Sequence, residues 1–333
     1  MTQAVAVLGA GSWGTVLADL LARKGHDVHL WAYESDVARD ITETHENTVY
    51  LPGVPLAPSL RASNDIGAVV RGASVICSVV PSHVSRAIWT GIADSVAPGT
   101  RLVCASKGIE TDSLSLMGEV AASAIPHAVF VALSGPSFAE EVQEGHPTAI
   151  VAASKDAAAA AETQQLFSTN TLRVYSSDDV VGVTLGGSLK NTIAIAAGIV
   201  EGLGLGNNPR AALLTRGLAE IARLGAALGA DAATFSGLAG MGDLILTCTG
   251  ALSRNRQLGI ALAGGASVAE YQATHRTVIE GVNTALAASR LAERHGVEMP
   301  ITRQVAAILF EGASPSESIR ALMERTLKAE RWG

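Results

Sequence analysis

The chain has 333 residues, of which 48% are hydrophobic and 17% are charged, and its formal net charge is -7 at pH 7. This composition excludes a disordered chain and suits a globular protein with two domains. The negative charge and the lack of a run of basic residues argue against nucleic acid as a partner.

The sequence also predicts a cytoplasmic protein with no stable membrane insertion. Its longest uninterrupted apolar run, residues 193–200, is far shorter than the roughly 20 residues that a membrane span needs. The N-terminus enters a strand-like segment without the basic region of a signal peptide. Cys77, Cys104 and Cys248 are far apart and odd in number, which is typical of buried thiols in a reducing compartment.

The first predicted elements form a dinucleotide-binding unit. They are a strand, a glycine-rich turn, a helix and a second strand, at residues 4–8, 9–14, 15–24 and 27–31. In such a unit the glycines allow a tight turn and a close approach of the backbone to a pyrophosphate, which the helix N-terminus then faces. We therefore expect Gly9, Gly11 and Gly14 to bind NAD(H) or NADP(H).

Apolar strands continue as far as residue 179, and helices follow. Further strands are predicted at residues 74–80, 100–105, 128–133, 148–152 and 172–175, and a helix at 157–167. Strands this apolar belong to a sheet covered on both faces, and right-handed crossovers make it mostly parallel. Later helices are predicted at residues 185–206, 208–228, 231–238, 281–295, 301–311 and 316–328. The predicted fold is α/β: a Rossmann-type doubly wound sheet in residues 1–179, then an all-α helical domain in residues 180–333.

Lys190 is the charged residue of the most apolar predicted helix. No other charge follows it until Glu201, and a helix that is apolar all round is normally buried. A buried lysine needs a partner, and burial lowers its pKa until it can serve as an acid or base near neutral pH. A lysine that extends to solvent along the helix remains the alternative interpretation.

Three polar motifs interrupt these elements. Residues 106–108 (Ser-Lys-Gly) and 134–138 (Ser-Gly-Pro-Ser-Phe) each follow a predicted strand, at the sheet edge where open α/β folds bind ligands. The third runs from residues 241–244 (Met-Gly-Asp-Leu), which include Asp243, through Thr247 to residues 253–256 (Ser-Arg-Asn-Arg). Its basic Ser-Arg-Asn cluster is suited to an oxyanion such as phosphate. A turn residue at Asp243 and a solvated helix start at Arg254 remain alternatives. No metal site is predicted, since zinc-type His and Cys motifs are missing from the sequence.

Together these motifs resemble those of the bacterial NAD(P)-dependent glycerol-3-phosphate dehydrogenases, and the resemblance runs over essentially the whole chain. The matching segments are residues 9–14, 47–53, 106–110, 134–139, 187–191, 242–244, 253–255 and 280–281. The resemblance implies reduction of dihydroxyacetone phosphate to sn-glycerol 3-phosphate with NAD(P)H, for glycerophospholipid synthesis. It is also compatible with a homodimer formed through the helical domain.

The resemblance also implies roles for individual residues. It makes Lys190 the catalytic acid/base, oriented by Asp243 and Asn191. The implied substrate contacts are Lys107, Gly135, Ser137, Lys190, Asn191, Asp243, Ser253, Arg254 and Asn255. The implied cofactor contacts are Ser12, Trp13, Lys107, Ala139, Arg254 and Glu280. The full expected cofactor set adds Gly9, Gly11 and Gly14 of the turn, with Glu34, Tyr50 and Val278.

The chain departs from the family pattern just after its second strand. Family members commonly carry arginine there, whereas this chain has Tyr33 and Glu34. Glu34 lies 20 positions after Gly14 (34 against 14), near the spacing at which an acidic side chain meets the adenosine ribose of NAD. We therefore expect NADH to be accepted at least as well as NADPH. Alternatively, Glu34 faces solvent and the segment 35–36 (Ser-Asp) caps the next helix.

Two other functions remain open at this point. Another two-domain NAD(P)-dependent hydroxy-acid dehydrogenase would keep the lysine but would not need the cluster at residues 253–255. A non-catalytic dinucleotide-binding redox sensor would need neither feature, and its DNA-facing basic module is missing from the sequence.

Overall fold

The structure is a computed structural model that describes residues 2–274, 278–327 and 329–330. Its strands are, in chain order, β1 Ala4–Leu8, β2 Asp27–Trp31, β3 Glu46–Asn47, β4 Leu51–Pro55, β5 Arg61–Ser63, β6 Val75–Ser78, β7 Arg101–Cys104, β8 Val129–Ser134, β9 Thr148–Ala153 and β10 Leu172–Ser177. Among the residues that the structure describes, every strand lies at or before residue 177.

Eight of these strands form one sheet in the order β10-β9-β8-β7-β6-β1-β2-β5. All neighbours in it are parallel except β8 and β9, so the expected mostly parallel Rossmann-type sheet is confirmed. Strands β3 and β4 form a separate antiparallel hairpin that the sequence analysis missed, as it also missed β5. Buried apolar side chains cover both faces of the sheet, as the strand composition predicts.

Helices flank the sheet in the first part of the chain. They are α1 Ser12–Arg23, α2 Ser35–Thr44, α3 Ile66–Val70, α4 Ser82–Ile92, α5 Met117–Ala124, α6 Ala139–Gln143 and α7 Ala157–Phe167, with a 3₁₀ turn at Ala93–Ser95. Helix α1 ends as predicted, because Gly25 follows it with a φ of +85°.

The second part of the described chain is helical, as expected. Its helices are α8 Val180–Gly202, α9 Asn207–Ala227, α10 Ala232–Phe235, α11 Asp243–Thr249, α12 Arg254–Ala263, α13 Val268–Ala273, α14 Glu280–Arg294, α15 Pro300–Phe310 and α16 Pro315–Met323, with a π turn at Leu238–Gly242. The helix predicted to reach residue 328 ends at Met323, and Lys328 lies outside the described residues.

Helix α8 is the centre of this part, and α9, α11, α12 and α14 pack around it. It begins at Val180 and not at residue 185, because Asp179 caps it by accepting a 2.8 Å hydrogen bond from the Gly182 amide. The Gly-Gly pair at 186–187 therefore lies inside the helix. A side chain at Gly186 would collide with the Ala239 carbonyl, and one at Gly187 with the Ser134 hydroxyl. These glycines permit close packing and do not open the helix.

Among the described helices, α8 is long and apolar enough to cross a membrane, and its apolar window is completely buried inside the protein. Residues 232–249 and α12 pass the same composition test as one unit bent by 48°.

Other helix boundaries also differ from expectation. Helix α9 begins at Asn207 and not at residue 208, with Gly206 in the N-cap position. The sequence Asn208-Pro209, which favours a cap at Asn208, lies inside the first turn. The helix predicted at 231–238 stops at Phe235 and gives way to the π turn, which sets up α11. Helices α11, α12 and α13 are too short for an apolar period to show clearly in the sequence.

Candidate active site

Lys190 meets two partners inside the helical part of the molecule. It is 7% exposed, and its amine donates to Asp243 Oδ1 and, at 2.8 Å, to Thr247 Oγ1. Asp243 is completely buried, and its Oδ2 accepts a 2.7 Å hydrogen bond from the Lys107 amine. One carboxylate therefore holds two lysine amines, and Lys190 does not extend to solvent. Thr247 was not foreseen as a partner.

Three different elements bring these side chains together. Lys190 is in the middle of α8, Lys107 follows the end of β7, and Asp243 opens α11 directly after the π turn. Gly240 in that turn has room for no side chain, since a Cβ would collide with the Phe235 backbone. The tight turn thus directs Asp243 back against α8.

The environment of Lys190 changes its protonation. Its pKa is lowered to about 7, chiefly by burial and also by the positive charge of Lys107. Asp243 acts in the opposite direction by favouring the charged amine. Lys190 can therefore both hold and release a proton near neutral pH.

The Ser-Gly-Pro-Ser segment lies beside Lys107, as its place after a strand predicts. The Gly135 carbonyl accepts hydrogen bonds of 3.1 Å from the Lys107 amine and from Ser137 Oγ. Gly135 has a φ of +139°, and a Cβ there would lie 2.9 Å from Ile150 Cα. Glycine is therefore required at this edge of the sheet.

Asn191 forms a second polar group with Asn255. Asn255 Nδ2 donates to Asn191 Oδ1 at 3.0 Å, and Asn255 Oδ1 accepts from the Gly281 amide at 3.1 Å. The expectation that Asn191 orients the Lys190 amine is thus wrong for the described geometry, because its side-chain oxygen is bound to Asn255 and Thr247 occupies that place.

The basic cluster at the start of α12 divides into different roles. Ser253 is the N-cap of α12, and its Oγ accepts from the Arg256 amide at 3.3 Å. The guanidinium of Arg256 makes two hydrogen bonds to Glu201, one of them 2.8 Å long. Arg254 is exposed and, among the residues that the structure describes, makes one long bond, 3.3 Å from its Nη1 to the Val278 carbonyl. Of the two arginines, Arg254 therefore keeps donors available for an anion.

The glycine-rich turn fits a dinucleotide pyrophosphate. Gly9 has a φ of +106°, and a side chain at Gly14 would collide with the Gly9 carbonyl. Gly11 is exposed with open space where a Cβ would be, directly before the first turn of α1. The backbone at this helix N-terminus is thus open to a phosphate. Ser12 Oγ donates to the Tyr50 carbonyl at 2.6 Å, and Trp13 is half-buried beside it.

Glu34 is held at the end of β2 by Tyr50. The Tyr50 hydroxyl donates a 2.8 Å hydrogen bond to Glu34 Oε1, and Tyr50 lies in the turn of the β3–β4 hairpin. Glu34 itself occupies the N-cap position of α2, where no side chain caps the helix. The alternative in which Glu34 faces solvent and Ser35-Asp36 caps the helix is therefore not observed.

The remaining expected cofactor residues lie on separate segments. Ala139 opens α6, Val278 is 41% exposed before α14, and Glu280 opens α14. The Glu280 carboxylate accepts from the Ser82 amide at 2.8 Å and from Ser82 Oγ at 2.6 Å, and burial raises its pKa. Glu280 thus joins α4, beside the sheet, to α14, through a serine that the sequence analysis did not single out. Within the described residues, no group of three or more His, Cys, Asp or Glu side chains could hold a metal ion.

Comparisons with known proteins identify the family of the chain. Residues 4–160 match the family described as NAD-dependent glycerol-3-phosphate dehydrogenase N-terminus, and residues 179–320 match its C-terminus. A relative from Geobacter sulfurreducens, named glycerol-3-phosphate dehydrogenase with NAD(P)+, is 53% identical and is covered over 100% of both chains. A relative of the same name from Syntrophotalea carbinolica is 49% identical, over 98% of this chain and 99% of its own.

The fold also matches that of a solved structure. The crystal structure of glycerol-3-phosphate dehydrogenase from Coxiella burnetii has a TM-score of 0.94 and 42% sequence identity, and the alignment covers 97% of this chain and 99% of the other. With both family regions matched and half the residues shared with full-length relatives, the chain belongs to the NAD-dependent glycerol-3-phosphate dehydrogenase family.

Proposed function

We propose that this protein reduces dihydroxyacetone phosphate to sn-glycerol 3-phosphate with NAD(P)H, with Lys190 as the general acid, and so supplies glycerophospholipid synthesis. The observation that supports the role of Lys190 most directly is its burial against Asp243, which leaves an amine with a pKa of about 7. The reduced nicotinamide supplies a hydride to the ketone carbon. The oxygen of that carbon gains negative charge in the same step and needs a proton.

Lys190 supplies this proton in reduction and takes it back in the reverse reaction. Asp243 and Thr247 fix the position of its amine, so that little rotamer freedom is lost when the substrate arrives. Lys107, on the other oxygen of Asp243, carries a second positive charge beside the site. We assign to Lys107 the electrostatic stabilisation of the developing oxyanion.

Arg254 is the residue that we assign to the substrate phosphate. Arg254 is an exposed residue, although burial of its charged group lowers its pKa. Its described hydrogen bond leaves further donors for an anion, whereas Arg256 is bound to Glu201. Ser253 and Asn255, which already have partners on the protein, hold the start of α12 in place. Asn191 positions Asn255, and Gly135 with Ser137 forms the wall of the site on the sheet side.

The cofactor residues follow from the same arrangement. We assign the pyrophosphate to Gly9, Gly11, Ser12 and Gly14, where the space beside Gly11 is open and a side chain at Gly14 would collide with the Gly9 carbonyl of the turn. Glu34, held by Tyr50, is assigned to the adenosine ribose, and Trp13 to the wall beside the turn. The remaining assigned contacts are Lys107, Ala139, Arg254, Val278 and Glu280.

The alternative functions lose their support with the family match. A hydroxy-acid dehydrogenase without the anion cluster would not need Arg254 beside the Ser253 cap, and a sensor without turnover would not need a lysine buried on a carboxylate. Both features are present in this chain.

Three further proposals concern the whole protein. The domain boundary lies between residues 179 and 180, supported by the cap that Asp179 provides for α8. The protein acts in the cytoplasm, supported by its three buried cysteines, which are free thiols. It forms a homodimer through the helical domain, where Phe310 and Met323 are 47% and 79% exposed. Sedimentation velocity of the purified chain tests the dimer.

An absorbance assay tests the proposed reaction. The protein is mixed with dihydroxyacetone phosphate and either NADH or NADPH, and loss of absorbance by the reduced nicotinamide is followed. We expect rapid oxidation of the cofactor and sn-glycerol 3-phosphate as the product. No turnover with either cofactor, under conditions in which both bind, would contradict the proposal.

A further inference from the structure

A cavity of about 640 Å³ lies where α5, the start of β8, the start of α8 and the end of α14 meet. This volume is within the range of small-molecule binding sites. None of the residues assigned above to substrate or cofactor lines it. The cavity is thus separate from the proposed reaction, and its function is open.

The interior of the cavity is apolar. Leu116 and Leu291 are buried in its walls, and Phe130 and Val180 complete them. Transfer of each CH₂ group of a ligand from water into such a site is favourable. The cavity therefore favours a ligand with a hydrocarbon body.

The rim of the cavity favours a negative charge. Its acidic side chains are occupied, since Glu119 accepts from the Leu116 amide at 2.8 Å and Asp156 accepts from the amides of Ala158 and Ala159. Its basic side chains, in contrast, have donors available for a ligand. Lys155 and His295 have no side-chain partner among the residues that the structure describes, and Arg294 makes one 3.2 Å bond to the Ser113 carbonyl.

Two features of the lining suggest that it is more than a packing gap. Thr184 is 7% exposed, and its hydroxyl has no hydrogen-bond partner in the described part of the chain. Buried side-chain hydroxyls in folded proteins rarely lack a partner. Leu114, also in the lining, has a φ of +64°, which is strained for a residue with a branched side chain. Strain and unsatisfied polar groups of this kind gather at functional sites.

We propose that this cavity binds a small amphipathic anion, with its hydrocarbon chain among the apolar walls and its carboxylate or phosphate head among Lys155, Arg294 and His295. The inference does not rest on the proposed enzymatic function. It rests on the apolar interior, the free cations of the rim and the unsatisfied Thr184 hydroxyl.

Calorimetric titration of the full-length protein with octanoate, octyl phosphate and the neutral analogue 1-octanol tests the proposal. We expect saturable binding of at least one anion, at least tenfold tighter than that of octanol. The preferred anion tells which head group the site takes. The binding should persist when NADH and dihydroxyacetone phosphate are both saturating. The proposal would be overturned if neither anion bound saturably or if octanol bound equally tightly. It would also be overturned if NADH and dihydroxyacetone phosphate displaced the anion.

Two kinds of variant test whether the ligand binds in this cavity. The double variant Lys155→Gln with Arg294→Gln removes two charges of the rim and should weaken anion binding at least tenfold while leaving octanol binding unchanged. Arg71→Gln, which removes an exposed charge directly after α3, should have no effect. A Cβ at Gly118 would lie 3.4 Å from the Phe130 ring and 3.6 Å from Val180, so Gly118→Ala fits and serves as the control. The longer Gly118→Leu should fill the cavity and abolish binding, with circular dichroism confirming the fold. Unaltered anion binding in the double charge variant would refute the site even if Gly118→Leu failed to fold.

Discussion

Lys190 and Lys107 bind the two oxygens of a single carboxylate, that of Asp243. Each lysine comes from a different half of the molecule, one from α8 and the other from the loop after β7. The single negative charge of Asp243 balances one positive charge. The cluster therefore has no net charge when one of the two lysine amines is neutral. This arrangement explains how the fold keeps a lysine buried and still ready to exchange a proton.

Replacement of Lys190 tests its role as the acid. Lys190→Met keeps a side chain of similar bulk and removes the proton donor, so we expect turnover to fall by at least about 10²-fold. Binding of NADH, measured by its fluorescence, should remain close to that of the wild type. Near-normal turnover of the variant at saturating substrate would show that another group supplies the proton.

The lowered pKa of Lys190 predicts opposite pH dependences for the two directions of the reaction. Reduction needs the charged amine, so its kcat/KM should fall as the pH rises through about 7, and oxidation, which needs the neutral amine, should rise. Thr247→Val removes an oxygen that accepts from the charged amine, so it should move the midpoint to lower pH. Parallel profiles in both directions would contradict the assignment of Lys190.

Arg254 should act on the phosphate of the substrate and leave the carbonyl chemistry alone. Arg254→Ala removes charge-assisted hydrogen bonds worth roughly 1.5–3 kcal/mol, so we expect kcat/KM for dihydroxyacetone phosphate to fall by about 10- to 100-fold. Unphosphorylated dihydroxyacetone should react very poorly with both proteins, and Arg71→Ala should behave as the wild type. If the variant still distinguishes the two ketones as sharply as the wild type does, the phosphate is bound elsewhere.

Glu220 stabilises the helical part by capping a helix from outside it. Its buried carboxylate, in α9, accepts from the amides of Ile301 and Thr302 at 2.7 and 3.1 Å, at the start of α15. Glu220→Ala leaves those donors buried and unpaired, which should lower the free energy of unfolding by at least about 2 kcal/mol. Urea unfolding measures the change, with Glu293→Ala on the exposed surface of α14 as the control. Equal stability of the two variants would disprove the capping role.

The elements that the sequence predicted well are those with strong local signals. The glycine turn, the apolar strands and the lysine in an apolar helix each follow from a few neighbouring residues, and the partnership of Lys190 with Asp243 follows because a buried lysine needs a counter-charge. The start of α8 was misplaced for the opposite reason. Gly186 and Gly187 favour a helix start near residue 185, but they are required by the backbone of Ala239 and the side chain of Ser134, which are distant in sequence.

The partners of the site residues were harder to predict than the residues themselves. Thr247 lies one turn after Asp243 and could have been found from that spacing once α11 was recognised. The bond between Ser82 and Glu280 joins positions 198 residues apart and has no local signal. The β3–β4 hairpin, with a strand of two residues, is similarly too short for its alternation to show.

The hydrogen bond between Tyr50 and Glu34 predicts the cofactor preference. Tyr50 is fixed by its own backbone, since its amide donates to Asn47 Oδ1 at 3.0 Å and its carbonyl accepts from Ser12 Oγ at 2.6 Å. Its hydroxyl thus holds Glu34 beside the glycine turn, with a negative charge where the adenosine ribose is expected.

A carboxylate in this position can accept hydrogen bonds from a ribose 2′-hydroxyl and repels a 2′-phosphate, so we expect NADH to be used at least as well as NADPH. The double variant Tyr33→Arg with Glu34→Arg should shift the cofactor preference toward NADPH. Tyr50→Phe removes the hydrogen bond to Glu34 without changing its charge. This variant should bind NADH more weakly but still use NADH at least as well as NADPH. The dissociation constants of both reduced cofactors, measured by fluorescence, and their kcat/KM values at fixed ionic strength provide independent readouts. A wild-type preference for NADPH of tenfold or more, about 1.4 kcal/mol, would rule out this role for Glu34.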